Sequence, residues 1–151
     1  MKPIPAPAPF LPLAIALLAS SCAQAEDTIA PVVVDELTVT FEPESCIYEG
    51  PPAIAAGEFT LTFDNATDSN VGIRLYRLEE GKTWADFLDH YSEGKTTTSF
   101  PPWASVVSHR PVISDPRQMI FDLEPGLYAM DCAEFLEGTW ANYSGAPLVV
   151  K

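Results

Sequence analysis

The stretch FDLEPGLYAMDC, residues 121–132, joins the end of one apolar alternation to a second through a tight Pro125-Gly126 turn. After the turn, Leu127, Ala129 and Asp131 fall on one face and Tyr128, Met130 and Cys132 on the other. Successive side chains of a strand point to opposite faces, so this period of two predicts strands on both sides of the turn. The same period runs outward along the chain. In VVVDELTVTF from Val32, Leu37, Val39 and Phe41 alternate with Thr38, Thr40 and Glu42. In EFTLTF at 58–63, Phe59, Leu61 and Phe63 alternate with threonines, and in GIRLYRLE at 72–79, Ile73, Leu75 and Arg77 oppose Arg74, Tyr76 and Leu78. DNATDSN between these two runs is a turn. ASVVSHR and RQMIFDLE read as further strands around the Pro-containing PVISDP, and APLVV closes the chain after an irregular loop.

Residues 83–92 break the rhythm. Trp84, Phe87, Leu88 and Tyr91 recur at helical spacing, with Thr83 as N-cap and Asp86 three residues on. One short amphipathic helix is expected, its aromatic stripe turned to the core. GKTTTS and FPPW follow as a polar hinge and a proline stop that places Trp103 at a rim. Seven or so short strands with one inserted helix predict an all-β fold, a Greek-key β-sandwich or barrel.

The N-terminus carries a sorting label. The apolar run Phe10–Ala19 is too short to span a membrane and suits a signal h-region, and Ala23-Gln24-Ala25 offers the small-x-small pattern cut by a signal peptidase. LLASSC, ending at Cys22, resembles a lipobox, in which the cysteine is acylated and holds the protein on a membrane. The reading is a signal peptide over 1–25, or a lipoprotein type ending at 21, then a short tether over 26–31 and one domain over 32–151. Either route makes the protein extracytoplasmic, secreted or periplasmic, with a lipid anchor as its one tie to a membrane.

The full chain carries a net charge of −13, and losing the signal removes Lys2 and no acid. Such a charge disfavours nucleic acid and anionic bilayers and keeps an exported domain soluble. With Cys22 cut off or acylated, Cys46 and Cys132 are left as a pair in an oxidising compartment, which suggests one disulfide.

The order of pieces resembles the cupredoxin-like fold from about Leu37 to Val150. LTFDN at 61–65 precedes the turn, LYRLEEGKTWADFLDHY leads into the inserted helix, and FDLEPGLYAMDC delivers a cysteine before a loop and a last strand, APLVV. In copper-binding members, two histidines, a cysteine and a weak axial methionine hold the metal. The resemblance puts Cys132 at the cysteine position, but Val71 falls where the first histidine is expected, and AEFLEGTWANYSGAP after Cys132 holds neither histidine nor methionine. One expected ligand of four is present. His90, beside Asp89, reads as a solvated or capping residue, His109 as a strand-end residue, and Met130 as core. In metal-free relatives of the family this cysteine need not remain a thiolate. With Cys46 the one available partner, a disulfide to Cys132 at the old copper position is the economical reading; the alternative is two separate buried thiols.

No phosphate loop, metalloprotease, nucleophile-elbow or C-x-x-C motif occurs, and the acid pairs Glu79-Glu80 and Asp35-Glu36 read as solvated surface. Asn65-Ala66-Thr67 and Asn142-Tyr143-Ser144 fit the glycosylation pattern, which matters in a eukaryotic secretory pathway. Trp103, Trp140 and Tyr143 are candidate recognition aromatics, expected together near one end of the sandwich. The expectation is a non-catalytic, metal-free binding or structural module without cofactor, its partner a protein or a small ligand. The alternative is a copper-binding electron-transfer or copper-handling protein with a non-standard site.

Overall fold

The computed structural model describes residues 29–92, 99–112 and 117–151. Among them lie nine strands and one helix: β1 Glu36–Glu42, β2 Ser45–Glu49, β3 Ala53–Ile54, β4 Gly57–Asn65, β5 Val71–Leu78, α1 Trp84–Ser92, β6 Ala104–Val112, β7 Arg117–Leu123, β8 Gly126–Leu136 and β9 Thr139–Val150. They form a four-stranded sheet, β2-β1-β4-β7, and a five-stranded sheet, β3-β9-β8-β5-β6. The two sheets do not close on each other, so the fold is a sandwich and not a barrel. β1 runs parallel to β4, Leu37 beside Leu61 and Val39 beside Phe63, which requires a crossover and not a hairpin.

The period of two explains the core. Leu37, Val39 and Phe41 from β1, Phe59, Leu61 and Phe63 from β4, and Phe121 and Leu123 from β7 are buried against Ile73, Leu75, Tyr128, Met130 and Leu148 of the other sheet. Each such side chain taken out of water is worth about 1.5–3 kcal/mol. β5 is buried on both faces. Its Tyr76 and Leu78 point away from the sandwich and form a second core with Phe87 of α1, flanked by Trp84, Tyr91 and Trp103. The helix thus makes a third layer on the five-stranded sheet.

The predicted cap is present: the Thr83 backbone N–H donates to Asp86 Oδ2 at 2.8 Å, and the Asp86 N–H donates back to Thr83 Oγ1 at 3.2 Å. The Thr83 hydroxyl donates to the same Oδ2 at 2.7 Å, and this bond together with that from the Thr83 N–H holds the Asp86 carboxyl below its ordinary value. Phe87 is fully buried, whereas Leu88, expected on the same stripe, is exposed.

Several expectations change. β1 begins at Glu36; Val32 makes only an isolated bridge to Ile54, and Val33 is exposed. The PESCIYEG region is a strand of its own, β2, turned back on β1 at Pro43-Glu44 with Phe41 opposite Cys46. Pro125 and Gly126 do not close a hairpin, because β7 and β8 belong to different sheets and the turn carries the chain across the sandwich. The residues after Cys132 are not an irregular loop. β8 and β9 run on as one ribbon to the pair Leu136–Thr139, closed by Glu137 and Gly138 with φ values of 47° and 88°. The signal and lipidation readings at 1–25 and Cys22 lie outside the described residues.

Candidate functional site

The end of the sandwich where β8 and β9 leave the sheet carries the residue singled out by sequence. Cys46 on the four-stranded sheet and Cys132 on the five-stranded sheet are bonded, Sγ to Sγ, at 2.06 Å with their Cα atoms 5.6 Å apart. The bond therefore ties the two layers together, and both cysteines are buried. Gly145 lies against it, at the irregularity where β9 gains a residue over β8. A Cβ at position 145 would come within 3.0 Å of the Met130 carbonyl oxygen and 3.2 Å of Cys46 Sγ, which is why glycine stands there.

Tyr143, opposite Cys132 in register, lays its ring 5.5 Å from that of Phe41 and donates its hydroxyl to Glu134 Oε2 at 3.2 Å. Burial, the Glu134 carboxylate and Glu44 push the Tyr143 phenol up.

The donor set does not fit a cupredoxin copper. Cys132 Sγ is spent on Cys46, and Val71, at the position implied for the first histidine, is a fully buried member of the hydrophobic core. The residues implied for the second histidine and the methionine form the β8–β9 ribbon, and Met130 is fully buried. His90 is not solvated. It is buried, its Nε2–H donates to the Ser99 carbonyl at 2.9 Å, and its ring meets Tyr91 and Trp103 edge-on. β6 continues past His109 to Val112, and the His109 side chain falls outside the described residues. Among the described residues, no three His, Cys, Asp or Glu side chains converge on a metal-sized point.

Beneath α1 lies a polar pair that the sequence did not reveal. Arg74 and Asp131 are directly opposite on β5 and β8, and the guanidinium donates from Nε to Oδ1 at 2.7 Å and from Nη2 to Oδ2 at 2.6 Å. Nη2 also donates to Asn142 Oδ1, and the guanidinium carbon lies 5.9 Å from the Tyr76 ring and 5.8 Å from that of Phe100. Burial alone would lower the Arg74 guanidinium, and Asp131 beside it more than reverses that. The Asp131 carboxyl is lifted by burial against the pull of Arg74. Above the pair, the Tyr91 hydroxyl donates to that of Tyr76 at 3.3 Å, and burial pushes Tyr91 up to about 12 and Tyr76 further. The signal for this pair was Arg74 on the same strand face as the large side chains of Tyr76 and Leu78.

The three recognition aromatics are not brought together. Trp103 lies at the Leu78 end of β5, where its carbonyl accepts from Glu79 N–H at 3.1 Å and Lys82 Nζ sits 5.0 Å from its ring centroid. Trp140 lies at the other end, beyond the Val71–Glu134 pair, with its ring 5.2 Å from that of Phe135. Tyr143 is at the same end as Trp140 but on the opposite face, turned in over Phe41, because one residue along a strand reverses the side chain at each step. The glycosylation-pattern Asn142 accepts from Arg74, and Asn65 donates its amide to the Ser69 carbonyl at 2.9 Å.

No family model matches the sequence, and no curated protein matches it. Among solved structures, the chain is similar to sodium-dithionite-reduced auracyanin from the photosynthetic bacterium Roseiflexus castenholzii. The TM-score is 0.45 at 14% identity, over 80% of this chain and 99% of that one. The two-sheet sandwich stands on its own strand order and register.

Proposed function

We propose that this chain is an exported, metal-free and non-catalytic β-sandwich of cupredoxin-like type that serves as a binding or structural module. The observation carrying this reading is the Cys46–Cys132 bond. A copper thiolate needs a free sulfur at position 132, and that sulfur is covalently used. Val71 in the core and the continuous β8–β9 ribbon support the same conclusion.

Three of the buried polar side chains have partners inside the chain: Arg74 bonds Asp131, Glu134 accepts from Tyr143 and His90 donates to Ser99. A disulfide between strands of different sheets suits an oxidising space, as do the signal features at 1–25 and the lipobox-like Cys22. Titration of the purified, unreduced domain with Cu(II) tests the reading. The expected result is no intense thiolate-to-copper absorption in the visible; such a band, lost in Cys132→Ser, would establish a copper protein instead.

A further inference from the structure

β8 loses its neighbour β5 at Glu134, paired with Val71, and continues only against β9. Phe135 with Trp140 and Leu136 with Thr139 therefore stand beyond the five-stranded sheet as a short two-stranded ribbon. A ribbon end without neighbouring strands ordinarily carries charged or polar side chains. Here Phe135 and Leu136 are each 42% exposed, and Trp140 is half-buried with its ring against that of Phe135. Their backbone is held, with Phe135 N–H donating to the Asn70 carbonyl at 2.9 Å and Thr139 Oγ1 to the Leu136 carbonyl at 3.0 Å.

The surroundings are acidic. Glu137 occupies the turn, and Glu42 and Glu44 at the β1–β2 turn and Asp68 in the β4–β5 connection are exposed at the same end. Ile29 and Lys151 meet at the opposite end, where Lys151 Nζ donates to the Ile29 carbonyl at 2.7 Å. β9 spans twelve residues between the two ends, about 36 Å at the usual strand rise.

We infer that this tip, Phe135, Leu136 and Trp140 framed by carboxylates, docks onto a cationic protein surface with an apolar recess. Aromatic and aliphatic anchors supply the desolvated centre of such a contact, and the carboxylates supply steering and discrimination. A second copy of this chain would bring like charges together, since each carries −13. The inference rests on the binding-module reading above.

The probe is a synthetic amphipathic peptide of lysine and leucine, with polylysine and a glutamate–leucine peptide as controls, followed through the backbone amide shifts of the folded domain. The expected result is shifts centred on 134–141, binding weakened by added salt, and affinity reduced about 30-fold in Phe135→Ser/Trp140→Ser. Unchanged shifts outside the tip report that the variant is folded, and Leu136→Ser takes its place if it is not. Equal binding by the variant, shifts spread over the whole acidic surface, self-association through the tip, or tip-dependent binding to phosphatidylcholine vesicles would each overturn the assignment. Copper titration of the same sample separates the two ideas, because a visible copper band removes the metal-free reading while the peptide result still decides the surface.

Discussion

Arg74 and Asp131 face each other across β5 and β8 in a two-bond ion pair, their side chains 3% and 1% exposed. Removing one partner leaves the other charge buried and unpaired, which costs about 3 to 5 kcal/mol, whereas replacing both by apolar residues of similar volume restores most of the loss. Arg74→Met and Asp131→Leu should each lower the denaturant midpoint strongly, and the double substitution should lie well above either. Denaturant unfolding of the three variants checks this, and simple additivity would contradict it.

All five tyrosines have phenols raised by burial, Tyr48 and Tyr91 to about 12. The folded state therefore keeps protons that the unfolded chain releases near pH 10. The stability this contributes is complete below about pH 10 and is lost as pH rises toward 12. Tyrosinate absorbance should appear together with loss of the β-sheet circular dichroism. Full tyrosinate formation near pH 10 in a still-folded protein would contradict the burial.

Gly145→Ala places a Cβ against the Met130 carbonyl and Cys46 Sγ, neither of which can move without shifting a strand or the disulfide. The cost of such overpacking is about 1 to 3 kcal/mol. Thermal unfolding of the oxidised variant should show a lowered midpoint, and an unchanged midpoint would mean that β9 can relax away from the bond.

Leu37, Val39 and Phe41, Phe59, Leu61 and Phe63, and the helix with its Thr83–Asp86 cap were legible because each uses a local period or a local hydrogen bond. The period of two did not mark off β2, because ESCIYEG has no clean alternation and its strand character comes from pairing with β1. The β8–β9 ribbon was hidden by a Glu137-Gly138 turn, a weaker hairpin signal than Asn-Gly or Asp-Gly. His90 was read as solvated or capping because its side chain is polar, and nothing in the alternation of GIRLYRLE marked Arg74 as buried. Their burial arises only when α1 and residues 99–103 cover the outer face of the five-stranded sheet, a tertiary event without a local pattern. Trp103 and Trp140 were expected together because the resemblance put both loops at one end of the sandwich, and strand direction places them at opposite ends of β5.

The Cys46–Cys132 bond closes a separation of 86 residues, and the chain-entropy relation gives about 4 to 5 kcal/mol for a loop of that size. Alkylation of the unreduced mature protein, unfolded in iodoacetamide and weighed by mass spectrometry, tests the sealed Cys132 most directly. Neither Cys46 nor Cys132 should take up an alkyl group until reductant is added, and then both should. Two alkyl groups on the unreduced domain would mean two free thiols, leaving Cys132 open to a metal.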